Sequence, residues 1–172
     1  RQVLTLAGEP GVGKTRLAEV FGTTAEHQGA VVLWGRCFEE QGAPPYWPWV
    51  QILREFVEAS SQSELRRLVG SHASRLVALV PELADMLGIP ETIEDTPLDP
   101  GQARFLAFDA VSRMLRRAAE QVPIVLIIDN AHWSDKPSLA LLEHVNRELE
   151  NSRVLMVCTY RDTEIGRSNP LL

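Results

Sequence analysis

The chain has 172 residues, 45% hydrophobic and 23% charged, enough for one domain with a real core and unlike a disordered or fibrous protein. Its net charge of -6 comes from interleaved acidic and basic residues, which argues against the clustered basic face that direct nucleic-acid binding favours. No apolar run is long enough to span a bilayer and the N-terminus lacks a signal peptide's apolar stretch, so no membrane partner is expected.

The first run, Val3-Leu4-Thr5-Leu6-Ala7, reads as a buried strand feeding a glycine-rich turn. Arg1 is not an initiator methionine, and residues 161–172 close no element, so the chain is expected to be a segment of a longer polypeptide. From about Lys14 to His27 the apolar positions Leu17, Ala18, Phe21 and Ala25 recur at helical spacing, and Gly29 ends that helix. Ala-Val-Val-Leu-Trp-Gly at 30–35 is a second strand. Strand, glycine loop, helix and strand in that order open a parallel α/β sheet.

Residues 42–100 are read as a helical insertion in a single domain spanning 1–172. Gly42-Ala43-Pro44-Pro45 is a loop, and Trp47-Pro48-Trp49 starts a helix with proline near its first position. Helical patterns continue at 52–59, 64–69 and 74–80, and Pro90, Pro97 and Pro100 with intervening acids mark a mobile connector. An amphipathic helix follows at 101–120, with Phe105, Phe108, Val111, Leu115 and Ala118 on its apolar side. Ile124-Val125-Leu126-Ile127-Ile128 has the pattern of a strand buried on both faces. Pro137 opens a helix through Leu139, Leu142, Val145 and Leu149, and 154–158 forms a fourth buried strand. Cys37 and Cys158 sit at strand ends; so sparse a pair reads as reduced core thiols and points to the cytoplasm.

Gly8-Glu9-Pro10-Gly11-Val12-Gly13-Lys14-Thr15 fits G-x-x-x-x-G-K-[ST] without a mismatch, between a predicted strand and a predicted helix. Glycines let the backbone wrap phosphate oxygens, and the helix N-terminus directs partial positive charge at the same anion. Lys14 is expected to reach the β/γ-phosphates, Thr15 to ligate Mg²⁺, and Arg16 to flank the bound ATP. Asp129, at the carboxyl end of the third strand, can hold the waters around Mg²⁺. Asn130 either orients the attacking water, which an amide can do without accepting its proton, or is a turn residue only. Arg161 either senses the γ-phosphate or pairs at the surface with Asp162 or Glu164.

GEPGVGKTRLAE, LWGRCFEEQGAPPYWPW, IVLIIDNAHWSDKPSLALL and VCTYRDTE, in this order, resemble the ATPase module of bacterial signal-transduction ATPases with numerous domains (the STAND class). The nearest likeness is to the AAA-like module of large LuxR-type regulators and of multidomain adenylate cyclases and kinases. The resemblance implies a three-layer P-loop NTPase fold with additional-strand sheet order 5-1-4-3-2, its fifth strand missing from this segment. It also implies an ATP-dependent switch, slowly hydrolysing, joined to flanking sensor and output domains and capable of nucleotide-dependent self-association. Lys14, Thr15 and Asp129 match the family's phosphate and magnesium positions, and Arg161 its first sensor arginine. Asn130 departs, since the family commonly has a second acid there, which bears on hydrolysis and not on binding. His132, Trp133 and Asp135 match the signature that follows. Ser134 or Asp135 is read as the N-cap of the next helix, His132 as a turn residue and residues 44–49 as packing. His27, His72 and His144 read as ordinary helix or loop residues. A nucleotide-binding scaffold without hydrolysis and, further off, a small-molecule P-loop kinase are the alternative functions.

Overall fold

The computed structural model describes residues 3–39, 43–77, 79–88 and 99–161. The strands β1 (Val3–Ala7), β2 (Val31–Arg36), β3 (Ile124–Asp129) and β4 (Val154–Tyr160) form one parallel sheet in the order β1-β4-β3-β2. This is the 1-4-3-2 part of the expected order, with the fourth strand between the two that carry the loop and Asp129. Register is continuous across the centre: Gly35 lies opposite Ile128, and Ile128 opposite Cys158.

The period-two alternation of the strands sorts the core into two layers. Val125 and Ile127 of β3 pack with Val32, Val157, Ala18 and Ala25 under α1 (Lys14–His27). Ile124, Leu126 and Ile128 face the opposite layer, which holds α2 (Trp47–Ala59), α6 (Pro100–Ala119) and α7 (Lys136–Glu148). Every residue of β3 is buried, as its branched run requires. The short helices α3 (Gln62–Val69) and α4 (Ala73–Val77) pack beside α6, and α5 (Glu82–Leu87) packs against α3 and α4. Ser61 and Glu64 form a reciprocal capping box on α3.

Three expectations are corrected. β1 is not buried: it borders only β4 among the described residues, and Leu4 is 45% exposed. Leu17 and Phe105, placed by spacing on apolar faces, are 57% and 58% exposed; Phe105 meets the His144 ring of α7 edge-on at 5.6 Å but lies at the mouth of the α6–α7 cleft. α5 was not anticipated; with six residues it is too short to show periodicity. The proline connector from Pro90 to Pro97 lies outside the described residues, whereas Pro100 begins α6 under an Asp99 cap.

Among the described residues β2 is an edge strand, and α2 supplies partners for three of its outward backbone groups. Glu55 accepts from the Trp34 N–H at 2.8 Å, and Gln51 accepts from the Arg36 N–H at 3.3 Å while donating to the Arg36 carbonyl at 2.9 Å. Trp49, fully buried, donates its indole N–H to the Ser138 carbonyl at 3.0 Å, so the Pro-aromatic stretch ties α2 to α7 as packing.

Candidate functional site

Residues 8–13 link β1 to α1 at the carboxyl edge of the sheet. Gly11 and Gly13 take φ of 81° and 95°, and a Cβ at either would meet nothing within 4 Å. Their requirement is therefore conformational and not steric: only glycine adopts this backbone cheaply. Gly13 is the N-cap of α1, with no side-chain cap and no acid in the first turn. By contrast α3, α6 and α7 are capped by Ser61, Asp99 and Asp135. The first-turn amides of α1 thus keep their partial positive charge for an anion. Lys14 Nζ donates to the Gly8 and Glu9 carbonyls, both at 2.8 Å. An ammonium has three hydrogens, so its head is fixed over the loop with a donor to spare. These features fit a phosphate.

At the other corner, Asp129 ends β3 with only 4% exposure. Thr15 Oγ1 lies 3.0 and 3.2 Å from its two carboxylate oxygens, bringing together residues 114 positions apart. Thr159 Oγ1, on β4, donates to Asp129 Oδ1 at 2.5 Å and accepts the Asn130 N–H at 2.9 Å. Hard oxygen donors, one hydroxyl and one carboxylate, fit Mg²⁺, which keeps most of its waters and takes few protein ligands. Asn130 stands in the left-handed region, φ 56° and ψ 42°, and its carbonyl accepts the Trp133 N–H at 2.9 Å.

A family model described as AAA ATPase domain matches residues 1–157. The chain belongs to that family. A protein of Rhizobium meliloti (strain 1021), itself uncharacterised, is 25% identical over 165 residues, covering 92% of this chain. The chain spans 16% of the length of that relative. Nucleotide binding and ATPase chemistry are the family's general activity, with ATP and Mg²⁺ its general ligands.

Within this AAA ATPase domain the remaining expected residues fall in different places. Pro10 and Val12 lie on the loop, Val12 68% exposed. Arg16 pairs its exposed guanidinium with Glu19 one turn along α1, at 3.3 Å. The Arg161 guanidinium stacks 4.7 Å from the Trp133 ring centroid, which joins the ends of β4 and β3 by a cation–π contact. Asp162 and Glu164, its alternative partners, lie outside the described residues. Asp135, not Ser134, caps α7: its carboxylate accepts from the Ser138 N–H at 2.8 Å and hydroxyl at 2.6 Å. The His132 ring packs against Trp133 at 4.5 Å. Burial pushes the Cys37 and Cys158 thiols up to about 12; for Cys37 the charges of Asp135 and Asp129 add to this against a Ser134 hydrogen bond. Both remain protonated, as core thiols do. No described helix is long and apolar enough to cross a membrane. The cleft between α6 and α7, lined by Arg104, Phe105, His144 and Arg147, includes no loop residue.

Thr159 is the residue that sequence reasoning missed. A threonine at the end of a strand is ordinary by propensity, and nothing local shows its hydroxyl reaching a carboxylate 30 positions earlier. The matched family residues also stop short of it, at 157.

Proposed function

We propose that this domain binds Mg·ATP on the loop from Gly8 to Thr15 and works as a slowly hydrolysing, ATP-dependent switch of a multidomain signalling or transcriptional regulator. The observation that carries the reading is the Thr15–Asp129 contact beside an uncapped helix N-terminus with Lys14 over it. Lys14 and the α1 amides hold the β/γ-phosphates; Thr15 offers its oxygen to Mg²⁺ while its hydrogen stays on Asp129. Mg²⁺, when bound, supplies charge neutralisation to the phosphates. Asn130 orients water without taking a proton, and Arg161, released from Trp133, reads the γ-phosphate. The whole chain is one nucleotide-binding domain, with α2–α5 as its helical insertion. Sensor and output domains flank it in a cytoplasmic protein whose copies associate according to the nucleotide held. The much greater length of the Rhizobium meliloti relative supports that multidomain setting.

A scaffold that binds ATP without turning it over is the second reading, favoured by the amide at Asn130. Lys14→Ala tests binding itself. Calorimetry should show Mg·ATP affinity falling roughly 10–100-fold, with the circular-dichroism spectrum kept. Equal affinity of variant and parent would sink the assignment of the loop.

A further inference from the structure

Thr159 is completely buried at the end of β4, after the apolar run Met156, Val157 and Cys158. A residue there for packing alone needs no hydroxyl, since valine has nearly the same shape. The hydroxyl is nevertheless used twice. An amide N–H can only donate, so Thr159 Oγ1 accepts from Asn130 and sends its single hydrogen to Asp129 Oδ1. Asp129 Oδ1 therefore receives one hydroxyl from the phosphate-loop side, Thr15, and one from β4. The same Thr159 oxygen holds the peptide of Asn130, whose backbone sits in a conformation that most residues avoid. One side chain thus sets both the carboxylate that faces the metal corner and the turn that carries the water-side amide.

We propose that Thr159 is a positioning residue for Mg²⁺: its hydroxyl holds Asp129 toward Thr15 and fixes the Asn130 turn, so that metal affinity depends on a group that touches neither metal nor nucleotide. The inference rests on the Mg·ATP reading above. A merely structural threonine would contribute to folding and would affect ATP binding equally with and without the metal. A positioning threonine acts on the metal-dependent part alone, because Lys14 and the loop amides are built without it.

The test compares the unaltered chain with Thr159→Val, Thr159→Ser and Thr159→Cys, measuring ATP affinity by calorimetry in excess Mg²⁺ and in EDTA. In the parent, Mg²⁺ should tighten ATP binding. Thr159→Val should lose about tenfold of that gain, the worth of one hydrogen bond to a charged group, while its affinity in EDTA stays within about twofold. Thr159→Ser keeps the donor and should restore the gain. Thr159→Cys keeps the volume with a weak donor and should fall between, which serves if Thr159→Val does not fold. Equal losses in both buffers, an unchanged Mg²⁺ gain in Thr159→Val or Thr159→Cys, or failure of Thr159→Ser to restore it would each overturn the proposal while leaving the loop assignment intact. No ATP binding by the parent in either buffer would overturn the Mg·ATP reading, and this inference with it.

Discussion

Replacing Asn130 by a carboxylate separates what the backbone demands at this position from what the chemistry demands. The left-handed conformation, φ 56° and ψ 42°, costs an ordinary L-residue roughly 1–2 kcal/mol but is tolerated by asparagine and aspartate. Asn130→Asp should therefore keep stability within about 0.5 kcal/mol. Asn130→Glu should lose roughly 1–2 kcal/mol, read as a shift in the urea midpoint. A positioned general base contributes about 10²–10⁴-fold to proton transfer. Asn130→Asp should raise single-turnover ATP hydrolysis within that range. Asn130→Glu should gain less, because the left-handed turn accommodates glutamate less readily than aspartate. Neither should tighten ATP binding, which we propose rests on Lys14, Thr15 and Asp129. If both variants hydrolyse no faster than the parent, Asn130 does not face the attacking water. If glutamate costs no more stability than aspartate, the left-handed turn is not what selects the residue.

The other predictions concern the neighbouring strand ends and the α2 contact. Arg161→Ala should weaken ATP binding more than ADP binding and alter an indole emission signal that Trp133→Phe abolishes; equal losses for both nucleotides would leave Arg161 a structural residue that stacks on Trp133. Gly35→Ala would place a Cβ 2.5 Å from the Pro48 carbonyl oxygen and 3.0 Å from its carbon, both rigid backbone, and should cost about 1–3 kcal/mol in urea unfolding. At Gly22 the added Cβ meets only side-chain ends, Ile127 Cδ1 at 3.2 Å and Val32 Cγ1 at 3.3 Å, and alanine's helix preference offsets the crowding. Gly22→Ala should stay within about 1 kcal/mol of the parent; similar costs at the two sites would mean that the α2–β2 approach yields.

How far the sequence could be read depended on whether the signal was local. The glycine-rich turn into α1, the all-apolar run of β3, the proline start of α2 and a cap at Ser134 or Asp135 are each written in a few adjacent residues, and each was legible. Helical spacing put Leu17 and Phe105 on apolar sides but could not tell whether another element covers those sides. The distant pairing of Thr15 with Asp129 was legible because each stands in a motif of its own, but pairings outside such motifs left no trace. Thr159 with Asp129, and Arg161 with Trp133, become neighbours only because β4 inserts beside β3, and side chains so joined carry no mark of it in their own surroundings.

The way α2 occupies the outer backbone of β2 leaves the two margins of the sheet unequal. Glu55 and Gln51 occupy the Trp34 and Arg36 N–H groups and the Arg36 carbonyl, so a chain adding to that half of β2 would have to displace these α2 side chains. On β1 no described residue does the same. A strand joining this sheet, from its own polypeptide or from a second molecule, would meet less obstruction from the described residues at β1, the strand that leads into residues 8–13. Lateral pairing and nucleotide occupancy would then meet on a single backbone, five residues long.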